Sequence, residues 1–274
     1  MSIKLIALDL DGTLLDSNKL LSSRNRAALQ AAADRGVWIV PATGRFFLGI
    51  PDTVRQLPFL RCAITINGAE VWDARTETAL YRCEIPAEEA ERLYDRFDAM
   101  PVMYDCYQDG WGWIKQEFFD RFASITDNRF EIDMIHMLRT SLADFRGTMR
   151  QRNRPIQKCQ LFFTDPDLRL VQLHELAEQY PDLAITTSIE NNIEINRKDA
   201  NKGAALGALC QSLGLRTEES MAFGDGLNDV TMLCAAGMGV AMGNACEEVR
   251  ARADLVAPPN DEDGVARIIE QYVL

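Results

Sequence analysis

Four short segments of the chain carry residue types that do chemistry on anions. The first, Asp9-Leu10-Asp11-Gly12-Thr13, sets two carboxylates two positions apart where an apolar run ends. Residues so spaced at a strand end project to the same side. Facing carboxylates repel, which favours a bound cation or a proton on one of them. One can then be an ionised nucleophile while the other handles protons. An ordinary Asp-Gly turn uses the same residues. The second segment, Ala42-Thr43-Gly44-Arg45, offers a hydroxyl and backbone amides of the kind that hold a phosphate oxygen, or simply an N-cap. The third, Asn201-Lys202-Gly203, opens a helix with a lysine. The helix dipole disfavours a cation there, and local rules are broken at sites more often than elsewhere, although a solvated lysine would read the same way. The fourth, Gly224-Asp225-Gly226-Leu227-Asn228-Asp229, gathers oxygen-bearing side chains on one loop. That suits a hard cation such as magnesium, or a plain glycine-rich turn; the spacing is not that of a calcium EF-hand.

These segments must be positioned by strands and helices. Residues 3–9 read as a buried strand, and a helix capped by Ser22 or Ser23 runs to Gly36. Strands follow at 37–40 and 63–66, with a helix expected after Arg45. The tail alternates likewise: helix from Lys202 to Leu213, strand 221–223, helix Val230 to Ala235, strand 239–242, helix 247–252, strand 255–257, helix Val265 to Tyr272. Such alternation implies an α/β fold with a parallel, Rossmann-like sheet, whose ligand crevice lies at the carboxyl ends of the strands. Each of the four segments falls just after a strand or at a helix start. The middle of the chain differs. After a hairpin at 71–85, helices at 87–100 and 168–180 mix with strands, two of which turn at Asp109-Gly110. The expected organisation is a first core part at 1–85, an inserted α+β domain at 86–196, and a second core part at 197–274.

A formal net charge of −12 disfavours nucleic acid, whose phosphates reward basic surfaces, and anionic lipid. The apolar runs are too short for a membrane span, and no signal peptide is evident. Seven widely spaced cysteines without a CxxC fit reduced thiols in a cytoplasmic protein. The two histidines, His136 and His174, are too few for a histidine-rich metal centre. No GxxxxGK[ST] segment occurs, and the glycines at 237, 239 and 243 miss the dinucleotide spacing. Six basic residues between Arg139 and Lys158 read as a solvated face or as a lure for an anion. Trp111 and Trp113 share a sheet face and are expected in the core of the inserted domain, with stacking on a substrate as the alternative.

In this order and at strand ends, the segments resemble the haloacid dehalogenase superfamily, and within it the Cof-like phosphatases with a cap inserted between the second and third motifs. Asn67-Gly68-Ala69, the run from Gly237 through Gly243-Asn244-Ala245, and Asp263-Gly264-Val265-Ala266 add to the likeness. The resemblance implies that Asp9 attacks phosphorus to form an aspartyl-phosphate. Asp11 would protonate the leaving oxygen and then activate water. Thr43, the Gly44 amide, Lys202 and Asn228 would hold the phosphoryl group. Mg²⁺ would be held by the Asp9 carboxylate, the Asp11 carbonyl and Asp225, with Asp229 ligating directly or through water. The cap would close over the site. The implied substrate is a small phosphorylated metabolite such as a sugar phosphate, with nucleotides, pyridoxal phosphate and flavin-pathway phosphates as further candidates. The expected enzyme is a soluble monomer or homodimer. A sugar phosphomutase of the same superfamily is the alternative; a non-enzymatic binding module is disfavoured because the motifs are intact.

Overall fold

The computed structural model describes residues 2–274. It opens with β1 (Leu5–Leu8), every residue of which is buried, as expected of a central parallel strand covered on both faces. The helix Ser23–Asp34 follows, capped by the Ser22 hydroxyl, which accepts from the Asn25 amide at 3.0 Å. It stops at Gly36, whose φ of 84° an L-residue rarely adopts. Next comes β2 (Trp38–Pro41). The helix expected after Arg45 is instead a 3-10 turn, Phe47–Gly49, and a four-residue helix, Asp52–Arg55. Pro51 separates them, since it lacks the N–H that would continue a helix. The chain then makes β3 (Cys62–Thr65), β4 (Glu70–Asp73) and β5 (Thr78–Arg82), an antiparallel three-stranded sheet.

One compact unit comprises Cys83–Asp199. It contains β6 (Met103–Gln108), β7 (Trp111–Lys115), β8 (Arg139–Leu142), β9 (Lys158–Phe162), β10 (Leu183–Thr186) and β11 (Asn192–Arg197). They form one sheet ordered β10-β11-β9-β6-β7-β8, antiparallel except for β7 with β8. The β6–β7 hairpin turns at Asp109 and Gly110, with φ of 56° and 72°, the left-handed pair that matches strand twist. Helices Ala87–Asp98, Phe145–Arg152 and Pro166–Gln179 contribute Leu93, Phe97, Phe145, Met149 and Leu176 to an apolar layer over Tyr104, Cys106, Cys159, Leu161, Ile193 and Ile195.

The basic run in this unit is not a free cationic patch, because each of its six cations is paired with a carboxylate, and only Arg150 and Arg154 keep the solvated character expected of it. Arg139 is buried against Asp105 at 2.6 Å, and Lys158 against Glu194 at 2.5 Å. Arg146 pairs with Glu91, Asp95 and Asp98, Arg150 with Glu91, and Arg152 and Arg154 with Asp109. Trp113 packs against the apolar layer, beneath the Arg152 guanidinium. Both histidines are exposed.

The other unit joins Met1–Arg82 to Ala200–Leu274. Its later strands are β12 (Ser220–Gly224), β13 (Met238–Ala241) and β14 (Leu255–Val256), giving a parallel sheet ordered β14-β13-β12-β1-β2. β3, expected as the third strand of this sheet, joins β2 only through isolated parallel bridges at Ile39–Leu60 and Ala42–Ile64. Pro41, at the end of β2, has no N–H to extend the ladder. Alternate residues of β1 feed two apolar layers. Ile6 and Leu8 pack beneath helices Ser23–Asp34 and Gly264–Tyr272; Leu5 and Ala7 pack beneath Lys202–Ser212 and Val230–Ala235. From β1 the chain goes to β2 on one side and later to β12 on the other. The strand order therefore reverses between β1 and β12, where such sheets open a crevice at their carboxyl ends.

Candidate active site

Asp9 follows β1 and Gly224-Asp225 ends β12, so both reach that crevice. The Asp9 amide donates to the Phe223 carbonyl at 3.0 Å, tying the two strand ends together. The helix Lys202–Ser212 starts beside them, capped by Asn201, whose side chain accepts from the Ala204 amide at 2.9 Å. Lys202 is 0% exposed. Its ammonium donates to Oδ1 of Asp9 at 2.7 Å and to Oδ1 of Asp229 at 2.6 Å. The lysine at a helix start is thus a buried ion-pair residue rather than a solvated one, and the dipole penalty is offset by two carboxylates.

Among the described residues, Asp9, Asp225 and Asp229 each place a carboxylate oxygen within 4.8 Å of the others. Burial pushes the Asp9 carboxyl up to about 7, against Lys202, and the neighbouring Asp229 and Asp225 charges push the same way. Burial likewise raises Asp225, despite the Thr13 hydroxyl that donates to it at 2.8 Å. For Lys202, burial disfavours the charge, but Asp229 and Asp9 outweigh it and hold the ammonium protonated. Three carboxylates facing one ammonium leave negative charge uncompensated. The donors are all oxygen, with no histidine or cysteine among them, which fits a hard divalent cation such as Mg²⁺. Asp229 is the most committed of the three: besides Lys202, its Oδ2 accepts from the amides of Asp225 at 3.0 Å and Gly226 at 2.9 Å. It braces the loop that carries Asp225.

Asp11 points to different partners. Arg45 reaches both its oxygens, at 3.0 Å to Oδ2 and 3.2 Å to Oδ1, and Lys19 lies 3.1 Å from Oδ1. Burial would raise the Asp11 carboxyl, but these two cations outweigh it and hold the group below its usual range. Gly12 has a φ of 87°, and a Cβ there would overlap the Asp225 carboxylate, so this turn requires glycine. Asn244 secures it by donating to the Gly12 carbonyl at 2.8 Å.

Thr43 is 2% exposed; its hydroxyl accepts from the Arg45 amide at 3.3 Å and keeps its own hydrogen for another acceptor. Asn228 is exposed and donates to Oδ1 of Asn67 at 3.2 Å. The sequence-selected residues therefore fall into a tight group of Asp9, Lys202, Asp225 and Asp229. The Thr43 loop joins Asp11 through Arg45. Sequence reasoning gave no role to Thr13, Lys19, Arg45, Asn67 or Asn244. Thr13 and Arg45 lie inside the selected segments, and Asn67 and Asn244 lie in stretches that carried the resemblance. Lys19 carried no signal, because its pairing with Asp11 depends on how an exposed loop folds back.

A family model described as haloacid dehalogenase-like hydrolase matches residues 6–269. The chain is 34% identical to the 5-amino-6-(5-phospho-D-ribitylamino)uracil phosphatase YcsE of Bacillus subtilis, over 100% of this chain and 97% of that protein. It is 30% identical to the pyridoxal phosphate phosphatase YbhA of Escherichia coli, over 100% of each. Among solved structures, it is similar to a haloacid dehalogenase-like hydrolase from Bacteroides thetaiotaomicron, with a TM-score of 0.82 and 30% identity, covering 98% of this chain and 99% of that one.

Proposed function

The chain belongs to the haloacid dehalogenase-like hydrolases, in their Cof-like branch of phosphatases, and on that premise we propose that it is a magnesium-dependent phosphatase working through an aspartyl-phosphate on Asp9. The observation that carries the reading is the buried group of Asp9, Lys202, Asp225 and Asp229 at the reversal point of the sheet.

In the proposed reaction an oxygen of Asp9 attacks the phosphorus of a small monoester, and the bond to the leaving oxygen breaks. Lys202, the Thr43 hydroxyl, the Gly44 amide and the Asn228 amide hold the phosphoryl oxygens as charge shifts among them. Asp11 gives its proton to the leaving oxygen, then takes one from the water that attacks the aspartyl-phosphate, which releases orthophosphate and restores Asp9. The Arg45 and Lys19 contacts favour ionised Asp11, the form the water-activating half requires, and make the protonated form that the first half uses the minority one. The carboxylates of Asp9 and Asp225 and the Asp11 carbonyl would hold Mg²⁺, with Asp229 bracing the loop. The cation would offset the repulsion between a carboxylate and a phosphate dianion.

Relatives named for a phosphoribityl compound and for pyridoxal phosphate support a small phosphorylated metabolite, such as a sugar phosphate, as substrate. The net charge of −12 supports the same class over nucleic acid. Seven free cysteines support a reducing, cytoplasmic setting. No described helix is long and apolar enough to cross a membrane. The test is release of phosphate from an aryl phosphate with Mg²⁺, with and without chelator, by the wild type and by Asp9→Asn. The variant is expected to fold and to lose turnover. A folded Asp9→Asn protein with near-wild-type turnover overturns the nucleophile assignment.

A further inference from the structure

We propose that Asn67 is a positioning residue that orients the Asn228 amide and fixes the Thr43 loop for phosphate binding; the inference rests on the phosphatase reading above. Ile66, Asn67 and Gly68 follow β3 with φ of 53°, 55° and 96°. Left-handed backbone is an outlier for a β-branched residue such as Ile66. Such strain persists where the surroundings over-determine it, and it concentrates at functional sites.

The surroundings here are the phosphate-holding segments themselves. The Ile66 amide donates to the Arg45 carbonyl at 3.0 Å, and the Asn67 amide donates to the Thr43 carbonyl at 3.0 Å. In return the Thr43 amide donates to the Ile64 carbonyl at 2.9 Å. Gly68 presses on the Asn201 backbone, where a Cβ would overlap the carbonyl just before Lys202. The Asn67 side chain spans the remaining gap. Its Oδ1 accepts from Nδ2 of Asn228 at 3.2 Å and lies 3.0 Å from where a Cβ on Gly44 would stand. One tripeptide thus touches the Thr43 loop, the start of the Lys202 helix and Asn228.

An amide nitrogen has two hydrogens in one plane. Holding one on Asn67 sets that plane and so aims the other. Asn228 is exposed, and without this contact its side chain would have to lose rotamer freedom each time a phosphoryl group bound.

Asn67→Gly removes the amide while keeping a residue that adopts positive φ without strain. KM and kcat on an aryl phosphate, the Kd for inorganic phosphate with Mg²⁺ by calorimetry, and Tm are measured for Asn67→Gly, Asn228→Ala and the double variant. Asn67→Gly is expected to raise KM and the phosphate Kd together by about three- to ten-fold, the range for one lost hydrogen bond. The change in kcat is expected to be smaller and Tm nearly unchanged. The double variant should bind phosphate no worse than Asn228→Ala, because both changes remove one shared interaction. Additive losses overturn the proposal, as does a fall in Tm and kcat with the phosphate Kd unchanged. If the wild type binds phosphate and Asn67→Gly binds it equally well, this inference alone fails. A wild type that neither cleaves an ester nor binds phosphate overturns the phosphatase reading and this inference with it.

Discussion

The Lys202 ammonium and the Asp9 carboxylate meet at 2.7 Å in a place that solvent does not reach from the lysine side. The group proposed to attack phosphorus is therefore held by the cation proposed to hold the phosphoryl oxygens. An attacking carboxylate must not be quenched by its own partner, and sharing Lys202 with Asp229 at 2.6 Å moderates that.

Replacing the lysine separates these roles. Lys202→Met leaves Asp9 and Asp229 facing each other in a buried space, and breaking a buried pair by removing one partner costs about 3–5 kcal/mol. Urea unfolding of the chelated protein should show a loss of that order, and Mg²⁺ should restore part of it by supplying the missing positive charge. Turnover is expected to fall further than stability does. A Lys202→Met protein as stable as wild type in chelator would mean that the carboxylates are not held together as described.

The raised Asp9 carboxyl ties cation binding to pH. Its folded value, about 7, lies above its ordinary 3.8. Between those values the folded chain binds the extra proton, so this group lowers the stability of the metal-free protein as pH rises through the window. Cation binding competes with that proton. Apparent Mg²⁺ affinity should climb as pH approaches about 7 and level off above it. Calorimetric titrations at stepped pH measure the climb. In thermal scans with chelator, wild type should lose ground to Asp9→Asn across the same window; a constant gap between the two would contradict the assignment.

Arg45 and Lys19 set when Asp11 carries a proton. In the proposed reaction, donating to the leaving oxygen requires the protonated form, so under saturating Mg²⁺, which would keep Asp9 ionised, kcat/KM should fall as pH rises through the Asp11 value. Arg45→Met removes the first of the two cations that hold this carboxyl down. The falling limb of the kcat/KM profile is expected to move to higher pH. An unmoved limb would assign that proton to another group.

The parts legible in the sequence were those that local physics determines. β1 reads as a central strand because all four of its residues are apolar and buried. Lys202 stood out because a cation opens its helix, and the structure gives the reason in Asp9 and Asp229. The parts not legible depend on long-range partners. Arg139 and Lys158 looked like surface cations, since nothing nearby in sequence announces Asp105 or Glu194 across the sheet. The Asp11–Lys19 pair and the left-handed turn at Ile66 are equally silent, because both follow from how distant segments pack. The separation of β3 from the main sheet was foreshadowed by Pro41, whose missing N–H at that strand end is visible in the sequence.

Thr13 and Asp225 are 212 positions apart, and β1 gains its second neighbour only when β12 is made. While the chain is being made, one edge of β1 waits for β12, a partner that is synthesised much later. Such distant pairing slows folding and leaves an aggregation-prone edge for chaperones to shield. It also makes the proposed site all-or-none: a polypeptide that stops short of residue 202 carries Asp9 but neither Lys202 nor the loop of Asp225 and Asp229, so the buried group cannot assemble on it.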